Sequence, residues 1–281
     1  MTILSIQSQV AYGHVGNAAA VFPLQRLGYE VWPVATVQFS NHPGYGDWRG
    51  RVLPASEVAD VIEGIGERGV YPQCRAILSG YLGCLETGRV VLGAAAEIKT
   101  ANPDALYVCD PVMGDHEEGF YVGDEQMAFF KSEAVPSADM VIANTFEMEF
   151  LSGLAIGSSA AAVGAADVVG RDAARMVVVT SVTVDDADAV GTVAVAGTNA
   201  WLVTTPRIPV SAKGAGDTFT ALFLARYLQR SDPGDALALA VSSVFGLIRA
   251  GFDGGTRELP VVAAQREIVS PARLFPAEKI R

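Results

Sequence analysis

The chain has 281 residues, of which half are hydrophobic and 18% are charged, a composition typical of a globular protein with a large core. Its 20 lysines and arginines are outnumbered by 31 aspartates and glutamates, which gives a net charge of −11. This negative charge disfavours an extended surface for nucleic acid or anionic lipid. Any ligand rich in phosphate must therefore be held by a few local groups.

Cysteine usage and the N-terminus indicate a cellular compartment. Cys74, Cys84 and Cys109 are odd in number and lack the spacing of metal ligands. We expect them to be reduced and mostly buried thiols of a cytoplasmic protein. No basic region precedes the first apolar run, so the sequence predicts no signal peptide. An uncharged stretch over residues 189–206 contains glycines and threonines and predicts a hairpin rather than a membrane span.

Short β-branched runs alternate with helical patterns over most of the chain. The predicted strands cover residues 3–7, 31–37, 76–79, 106–110, 140–143 and 177–180. The predicted helices cover residues 17–27, 55–67, 88–100, 124–131 and 160–175. Repetition of strand and helix predicts an α/β fold with a central, mostly parallel sheet flanked by helices. Ligands of such sheets bind at the carboxyl ends of the strands.

The pattern changes after residue 180. Runs at 192–196 and 200–205 predict an antiparallel hairpin. A loop with Pro and Gly, 206–216, follows, and the next helices are predicted over 218–229 and 235–249. Because no linker or repeat interrupts the chain, we expect residues 1–281 to form a single domain.

One glycine pattern is misleading. Residues 64–69 fit G-x-G-x-x-G, the pattern of dinucleotide-binding loops. They lie at the end of a predicted helix instead of between a strand and a helix, so the geometry that holds a phosphate is missing. We expect no nucleotide site there.

The segment 213–219, K-G-A-G-D-T-F, is a stronger candidate. The small residues Gly214, Ala215 and Gly216 permit a tight turn and leave backbone amides free at a helix N-terminus, where anions bind. Asp217 is predicted at the first helical position. It could be a helix cap, or a carboxylate that accepts a hydroxyl proton in a phosphoryl transfer.

Acidic residues follow two consecutive predicted strands. Asp110 and Asp115 stand in D-P-V-M-G-D, and Asn144 and Glu147 stand in N-x-x-E. Each has a local alternative, since Asp-Pro starts turns and Asn or Glu can cap a helix. Carboxylates at neighbouring strand ends also suit a Mg²⁺–phosphate site. Asp110 and Glu147 are the main metal candidates, and Asp115 is a weaker third.

These three motifs, in this order, resemble those of the ribokinase superfamily. The N-terminal third narrows the resemblance to pyridoxal kinases, through S-x-x-x-x-G-H-V-G-N at 8–17, T-V-Q-F-S-N-H at 36–42 and S-G-Y-L-G at 79–83. The resemblance covers nearly the whole chain. It implies a single ribokinase-like, three-layer domain.

The resemblance also implies an activity, namely ATP-dependent phosphorylation of the 5′-hydroxyl of pyridoxal to pyridoxal 5′-phosphate. Members of the family use Mg²⁺, often with an activating K⁺, and are usually homodimers. By analogy Asp217 would be the base, and Gly214, Ala215 and Gly216 would form the anion hole. The implied substrate contacts are Ser8, His42, Pro43, Gly44 and Tyr81, and the implied nucleotide contacts are Asp110, Asn144, Glu147, Thr180 and Ser181.

Three single residues need separate comment. Pro43 stands where many relatives have a polar side chain, so only backbone contacts could replace that hydrogen bond to the substrate. We expect the Lys213 ammonium to be solvated, although a cation beside the nucleotide is the alternative. His116 is expected to be exposed.

Two alternative functions remain at this point. One is a kinase of another small alcohol, such as hydroxymethylpyrimidine or a sugar. Hydroxymethylpyrimidine phosphate kinases commonly have Cys in place of Asp217, and sugar kinases have acidic residues and a Gly-Gly pair that residues 8–17 lack. The other is a non-catalytic carrier of pyridoxal phosphate, which would need no base. Acceptance of pyridoxine and pyridoxamine is left open.

Overall fold

The computed structural model describes residues 1–170 and 176–281. The strands are β1 (Thr2–Val10), β2 (Glu30–Phe39), β3 (Gly50–Val52), β4 (Cys74–Ser79), β5 (Leu106–Cys109), β6 (Gly114–Asp115), β7 (Gly119–Phe120), β8 (Met140–Asn144), β9 (Met176–Val182), β10 (Ala189–Ala196), β11 (Asn199–Pro206) and β12 (Glu278–Lys279). The helices are α1 (Asn17–Arg26), α2 (Ala55–Gly66), α3 (Leu85–Ala101), α4 (Asp124–Phe129), α5 (Val135–Ser137), α6 (Thr145–Ser152), α7 (Ser159–Gly170), α8 (Ala215–Arg230), α9 (Pro233–Asp253) and α10 (Gln265–Val269).

A ten-stranded sheet organises the molecule. Its order is β12-β11-β10-β9-β8-β5-β4-β1-β2-β3, and β6 and β7 form a separate hairpin. The strands from β2 through β1, β4, β5 and β8 to β9 pair in parallel. The strands added at the two edges pair antiparallel. The carboxyl ends of six parallel strands therefore meet along one edge of the sheet.

Helices cover both faces of the sheet and give two core clusters. On one face α2, α3, α6 and α7 contribute buried residues such as Ile62 and Ile98. On the other face α1, α8 and α9 contribute Leu24, Phe223 and Leu247. From Ala76 to Leu78 in β4 the buried side chains alternate between the two clusters, as the two-residue period of a strand requires. The predicted three-layer α/β architecture is confirmed.

Each strand and helix predicted from the sequence has a counterpart, and the differences have physical causes. The predicted helix 124–131 ends early because a wider, π-helical turn over Phe130–Ala134 follows α4. The predicted helix 160–175 corresponds to α7, and its last five positions lie outside the described residues. The sequence pattern missed β3, β6, β7 and β12, which have only two or three residues each and show no periodicity.

The misleading glycine pattern, the cysteines and the longest apolar helix behave as expected. Residues 64–69 cover the end of α2 and the turn after it, so they do not connect a strand to a helix. All three cysteines are free, with Cys74 and Cys109 buried. By length and composition α9 could cross a membrane, but 56% of its apolar window is buried inside the protein. Its packing against α8 and the sheet identifies it as a core helix.

Candidate active site

A cavity of about 580 Å³ lies at the carboxyl ends of the parallel strands. Residues between Ser8 and Thr220, from several strand ends and the connections that follow them, line it. The predicted site residues that line the cavity are Ser8, His42, Pro43, Tyr81, Asp110, Asp115, Asn144, Glu147, Thr180, Ser181, Gly214, Ala215, Gly216 and Asp217. Gly44 does not line it, but its amide contacts the His42 ring at the rim.

Asp217 lies in the third position of α8, not in the first as predicted. The prediction was wrong by two residues because Gly214 adopts a left-handed conformation, with φ of 79°, and itself caps the helix. Asp217 is therefore not the cap. Its Oδ2 accepts a hydrogen bond of 2.9 Å from the backbone N–H of Gly16. Burial raises the pKa of the Asp217 carboxyl above its ordinary value, and the Gly16 hydrogen bond opposes that shift.

Close backbone packing explains the glycine at the start of α8. A Cβ atom on Gly214 would lie 1.7 Å from the carbonyl oxygen of His14, whereas one on Gly216 would meet no atom of another described element within 4 Å. The Ala215 amide already donates to Ala212 O at 3.2 Å. The predicted row of free amides is therefore interrupted at Ala215. The amides of Gly216 and Asp217 remain as first-turn donors, because the first turn of a helix has no intrahelical acceptors.

Asp110 directly follows β5 and is only 8% exposed. Its Oδ2 accepts a hydrogen bond of 2.7 Å from the Thr220 hydroxyl. Burial raises the pKa of Asp110 well above its usual range, and the charges of Glu147 and Asp217 raise it further. Sequence reasoning missed Thr220, although its place three residues after Asp217 puts both on one face of α8.

Asn144 and Glu147 form a capping box at the start of α6. The Asn144 side chain accepts from the Glu147 amide, and the Glu147 carboxylate accepts from the Asn144 amide, each at 3.0 Å. Glu147 Oε1 also accepts from the amides of Met113, at 2.7 Å, and Gly114, at 3.4 Å. Burial raises the pKa of Glu147 to about 7, and these amides oppose the shift. The cap interpretation is thus confirmed, yet both side chains also face the cavity.

The loop that follows Asp110 folds over the same side of the cavity. Asp115 Oδ1 accepts the amides of Glu117 and Glu118 at 2.8 and 2.7 Å. Lys213 Nζ lies 2.6 Å from Glu118 Oε1 and 3.9 Å from Asp115 Oδ2. Lys213 is thus partly exposed, as expected, but its ammonium also forms an ion pair that joins loop 206–214 to the β6–β7 hairpin. His116 is exposed, as expected.

Beside Glu118 and Lys213, the turn that contains His42 forms part of the cavity rim. The His42 Nδ1 atom accepts the Gly44 amide at 3.0 Å and caps a short turn, Pro43–Tyr45. The neutral ring thus carries its proton on Nε2. Burial lowers the pKa of His42, and the nearby Lys213 charge lowers it further. Pro43 occupies the first position of the turn, where its fixed φ is favourable and its missing N–H costs nothing.

Ser8 and Tyr81 complete this side of the cavity. Ser8 is 9% exposed, near the end of β1. Tyr81 follows β4 and packs with Val10, Val15 and Val37, while its carbonyl oxygen accepts the Thr36 hydroxyl at 2.6 Å. The resulting pocket wall is mostly apolar, with a few fixed polar groups, as is usual for small-molecule sites.

Two residues without the freedom of glycine adopt positive φ in the cavity wall. Val112 has φ of 44°, and Ser181, near the end of β9, has φ of 62°. Such conformations cost about 1–3 kcal/mol each and occur mainly at functional sites. Thr180 stands beside Ser181, so β9 brings both predicted nucleotide contacts to the cavity.

Comparison with known proteins agrees with this geometry. The family model described as phosphomethylpyrimidine kinase matches residues 70–262. The pyridoxal kinase PdxY of Rubrobacter xylanophilus is 48% identical, over all of this chain and 98% of the relative. The chain belongs to the pyridoxal kinase family. The resemblance that the sequence motifs indicated is confirmed.

Further members of the pyridoxal kinase family support the assignment. The pyridoxal kinase PdxY of Corynebacterium diphtheriae is 45% identical over the full length of both chains. The solved structure of pyridoxal kinase from Leishmania donovani in complex with ADP and pyridoxine superposes with a TM-score of 0.93, at 29% identity. That match covers 100% of this chain and 99% of the other.

The carboxylates of this pyridoxal kinase family member fit a metal that is shared with a phosphate ligand. Within residues 1–170 and 176–281, no three His, Cys, Asp or Glu side chains cluster closely enough to hold an ion alone. Asp110 and Glu147 are nevertheless both buried, and their proximity raises the pKa of Asp110. A cation beside them would relieve that repulsion. Mg²⁺ commonly binds in this way, through one or two carboxylates, waters and phosphate oxygens.

Proposed function

We propose that this chain transfers the γ-phosphoryl group of ATP to the 5′-hydroxyl of pyridoxal and forms pyridoxal 5′-phosphate. The observation that carries the proposal is the Asp217 carboxylate, held by the Gly16 amide at the N-terminus of α8 within the cavity. The relatives named above as pyridoxal kinases, at 45–48% identity, support the choice of substrate. The Leishmania donovani complex with ADP and pyridoxine supports the choice of nucleotide.

Asp217 serves as the general base in this proposal. The alcohol oxygen attacks the γ-phosphorus, its proton moves to the carboxylate, and the bond from that phosphorus to the β-phosphate oxygen breaks. A raised pKa makes Asp217 a better proton acceptor than an exposed aspartate. General-base catalysis of this kind contributes roughly 10²- to 10⁴-fold to the rate.

The start of α8 stabilises the charge on the transferred group. The first-turn amides of Gly216 and Asp217, together with the helix dipole, provide fixed positive potential beside the base. Gly214 allows this turn to approach the loop after β1, and Ala215 keeps its side chain small. Such donors require no reorganisation during the reaction.

The apolar side of the cavity binds the vitamin. Ser8 hydrogen-bonds the pyridine ring, and His42 and Tyr81 pack around it, with Pro43 and Gly44 at the rim. The neutral state of His42 supports this role, because a neutral ring can stack against an aromatic substrate without a desolvated charge.

The acidic side of the cavity binds the nucleotide and the metal. Asp110, Asn144, Glu147, Thr180 and Ser181 contact the nucleotide, and Asp110 and Glu147, with Asp115 as a third, would hold Mg²⁺. The ion supplies neutralisation of charge on the phosphates. A requirement for K⁺ follows from the resemblance to the family and is tested by replacing K⁺ with Na⁺ in the assay.

Three further properties belong to the same proposal. Residues 1–281 form one domain, which is supported by a sheet that includes both β1 and β12. The enzyme is cytoplasmic, which is supported by three free thiols. It is a homodimer, a state inherited from the resemblance and measurable by light scattering.

The test is formation of pyridoxal 5′-phosphate from pyridoxal, ATP and Mg²⁺, with pyridoxine and hydroxymethylpyrimidine assayed in parallel. We expect turnover of pyridoxal well above that of hydroxymethylpyrimidine. Phosphorylation of hydroxymethylpyrimidine instead would keep the fold and Asp217 but overturn the substrate assignment. No turnover of any alcohol would favour a carrier of pyridoxal phosphate.

A further inference from the structure

Glu258 lies outside the cavity and far from every motif in the sequence, yet it contacts two loops of the substrate side. It belongs to the connection between α9 and α10. The next residues inward, Leu259 and Val261, are 1% and 0% exposed and fix this connection to the core. The Glu258 side chain itself is 18% exposed. The backbone that carries the Glu258 carboxylate is therefore held in place by buried neighbours.

One contact joins Glu258 to the loop after β1. Glu258 Oε2 accepts the backbone N–H of His14 at 2.9 Å. The same oxygen lies 3.9 Å from His14 Nδ1, a buried atom that has no hydrogen-bond partner among the described residues. Charge-assisted bonds from an amide to a carboxylate are stronger than neutral ones. Glu258 thus fixes the position of His14.

The other contact joins Glu258 to the turn after β2. The Tyr45 phenol donates a short hydrogen bond to Glu258 Oε1. Tyr45 ends the turn that His42 caps at the cavity rim. Burial and this hydrogen bond raise the pKa of Tyr45 to about 12, so the phenol remains a donor at neutral pH. One carboxylate therefore connects two loops that are about thirty residues apart in the chain.

The first of these loops, which follows β1, also contacts the proposed base, Asp217. The His14 carbonyl packs against Gly214, and the Gly16 amide donates to Asp217 Oδ2 at 2.9 Å. We propose that Glu258 is a positioning residue, which holds the β1 loop and the His42 rim at the distance that the alcohol substrate requires. This inference rests on the proposed function and adds to it a residue that sets affinity for the alcohol rather than for ATP.

The test compares Glu258→Gln and Tyr45→Phe with the parent in steady-state kinetics. Glutamine keeps the size of the side chain, but only one of its two terminal groups can accept a hydrogen bond. We expect Glu258→Gln to raise the KM for pyridoxal roughly tenfold. The KM for ATP should stay within about twofold, and kcat should change less than the KM for pyridoxal. Tyr45→Phe should raise the same KM by a smaller factor.

Glu267→Gln is the matched control, because Glu267 also accepts a backbone amide, that of Ala272 at 2.9 Å, but lies outside the cavity lining. Its KM for pyridoxal should equal that of the parent. A Glu258→Gln variant that loses thermal stability while keeping the parental KM would show a purely structural role and overturn the inference.

Hydrogen exchange separates failure of this inference from failure of the proposed function. If the parent does not phosphorylate pyridoxal, the proposed function fails, but amide exchange in residues 12–16 and 42–46 still reports on Glu258. Faster exchange in both segments of Glu258→Gln supports the positioning role. Unchanged exchange in either segment contradicts it.

Discussion

Around the cavity, the loops after β1, β2 and β4 differ from those after β5, β8 and β9 in the charge of the side chains that they contribute. The first group, together with Ser8 near the end of β1, presents a neutral His42 and Tyr81 on an apolar wall. The second presents Asp110 and Glu147, two buried carboxylates with raised pKa values. The apolar wall suits an aromatic vitamin, whereas the buried carboxylates suit a metal ion with its phosphate ligand. Under the proposed function, one edge of the sheet provides separate environments for pyridoxal and for ATP.

The two sides meet where the His14 carbonyl packs against Gly214, and Gly214→Ala is the change that breaks this contact. Alanine would have to adopt φ of 79° and place Cβ 1.7 Å from the His14 oxygen. The left-handed conformation and the collision together should lower the free energy of unfolding by roughly 4 kcal/mol. Chemical denaturation measures the change.

Gly216→Ala is the control for that substitution. It lies two residues further along the chain, its Cβ would have open space among the residues that the structure describes, and alanine has the higher helix propensity. Its stability should equal or slightly exceed that of the parent. Equal destabilisation by both substitutions would contradict the importance of the contact with His14.

The parallel part of the fold was predictable, because fully buried strands leave continuous apolar runs and the helices between them show clear periodicity. The acidic candidates Asp110 and Glu147 followed from that topology, whereas Ser8, His42 and Tyr81 came only from the resemblance to the family. The contacts of Thr220, Gly16 and Glu258 were not predictable, because they join residues separated by up to about 240 positions in the sequence. The start of α8 was also missed, because a left-handed glycine cap leaves no pattern in hydrophobicity.

The acidic side should make the ligand-free protein less stable as the pH rises. Folding raises the pKa of Glu147 from 4.5 to about 7, and it raises that of Asp110 as well. Between these pH values the folded chain retains protons that the unfolded chain has released, so stability falls with increasing pH. Asp110→Asn should remove part of this loss, so its free energy of unfolding should rise relative to that of the parent as the pH increases from 4 to 8.

Thermal unfolding of both proteins across that pH range checks this prediction. Asp60→Asn, at an exposed position of α2, is the control, and its unfolding temperature should equal that of the parent at every pH. If the stability of Asp110→Asn had the same pH dependence as that of the parent, folding would not raise the pKa of Asp110, and the prediction would be wrong.

The ion pair of Lys213 with Glu118 should have the smallest effect. The side chains are 28% and 38% exposed, and solvent screens such pairs. A double-mutant cycle with Lys213→Gln and Glu118→Gln should give a coupling free energy below about 1 kcal/mol. A coupling above about 2 kcal/mol would mean that this pair closes the cavity, in contrast with a surface pair of ordinary strength.

Asp217 stands between the two sides, and the most direct measurement is turnover and ATP binding by Asp217→Asn. Asparagine keeps an oxygen that can accept the Gly16 amide but cannot take a proton from the alcohol. The account predicts that kcat for pyridoxal phosphate formation falls about 1000-fold, while the Kd for ATP with Mg²⁺ stays within about threefold of the parent. Parental turnover by Asp217→Asn would contradict the assignment of the base.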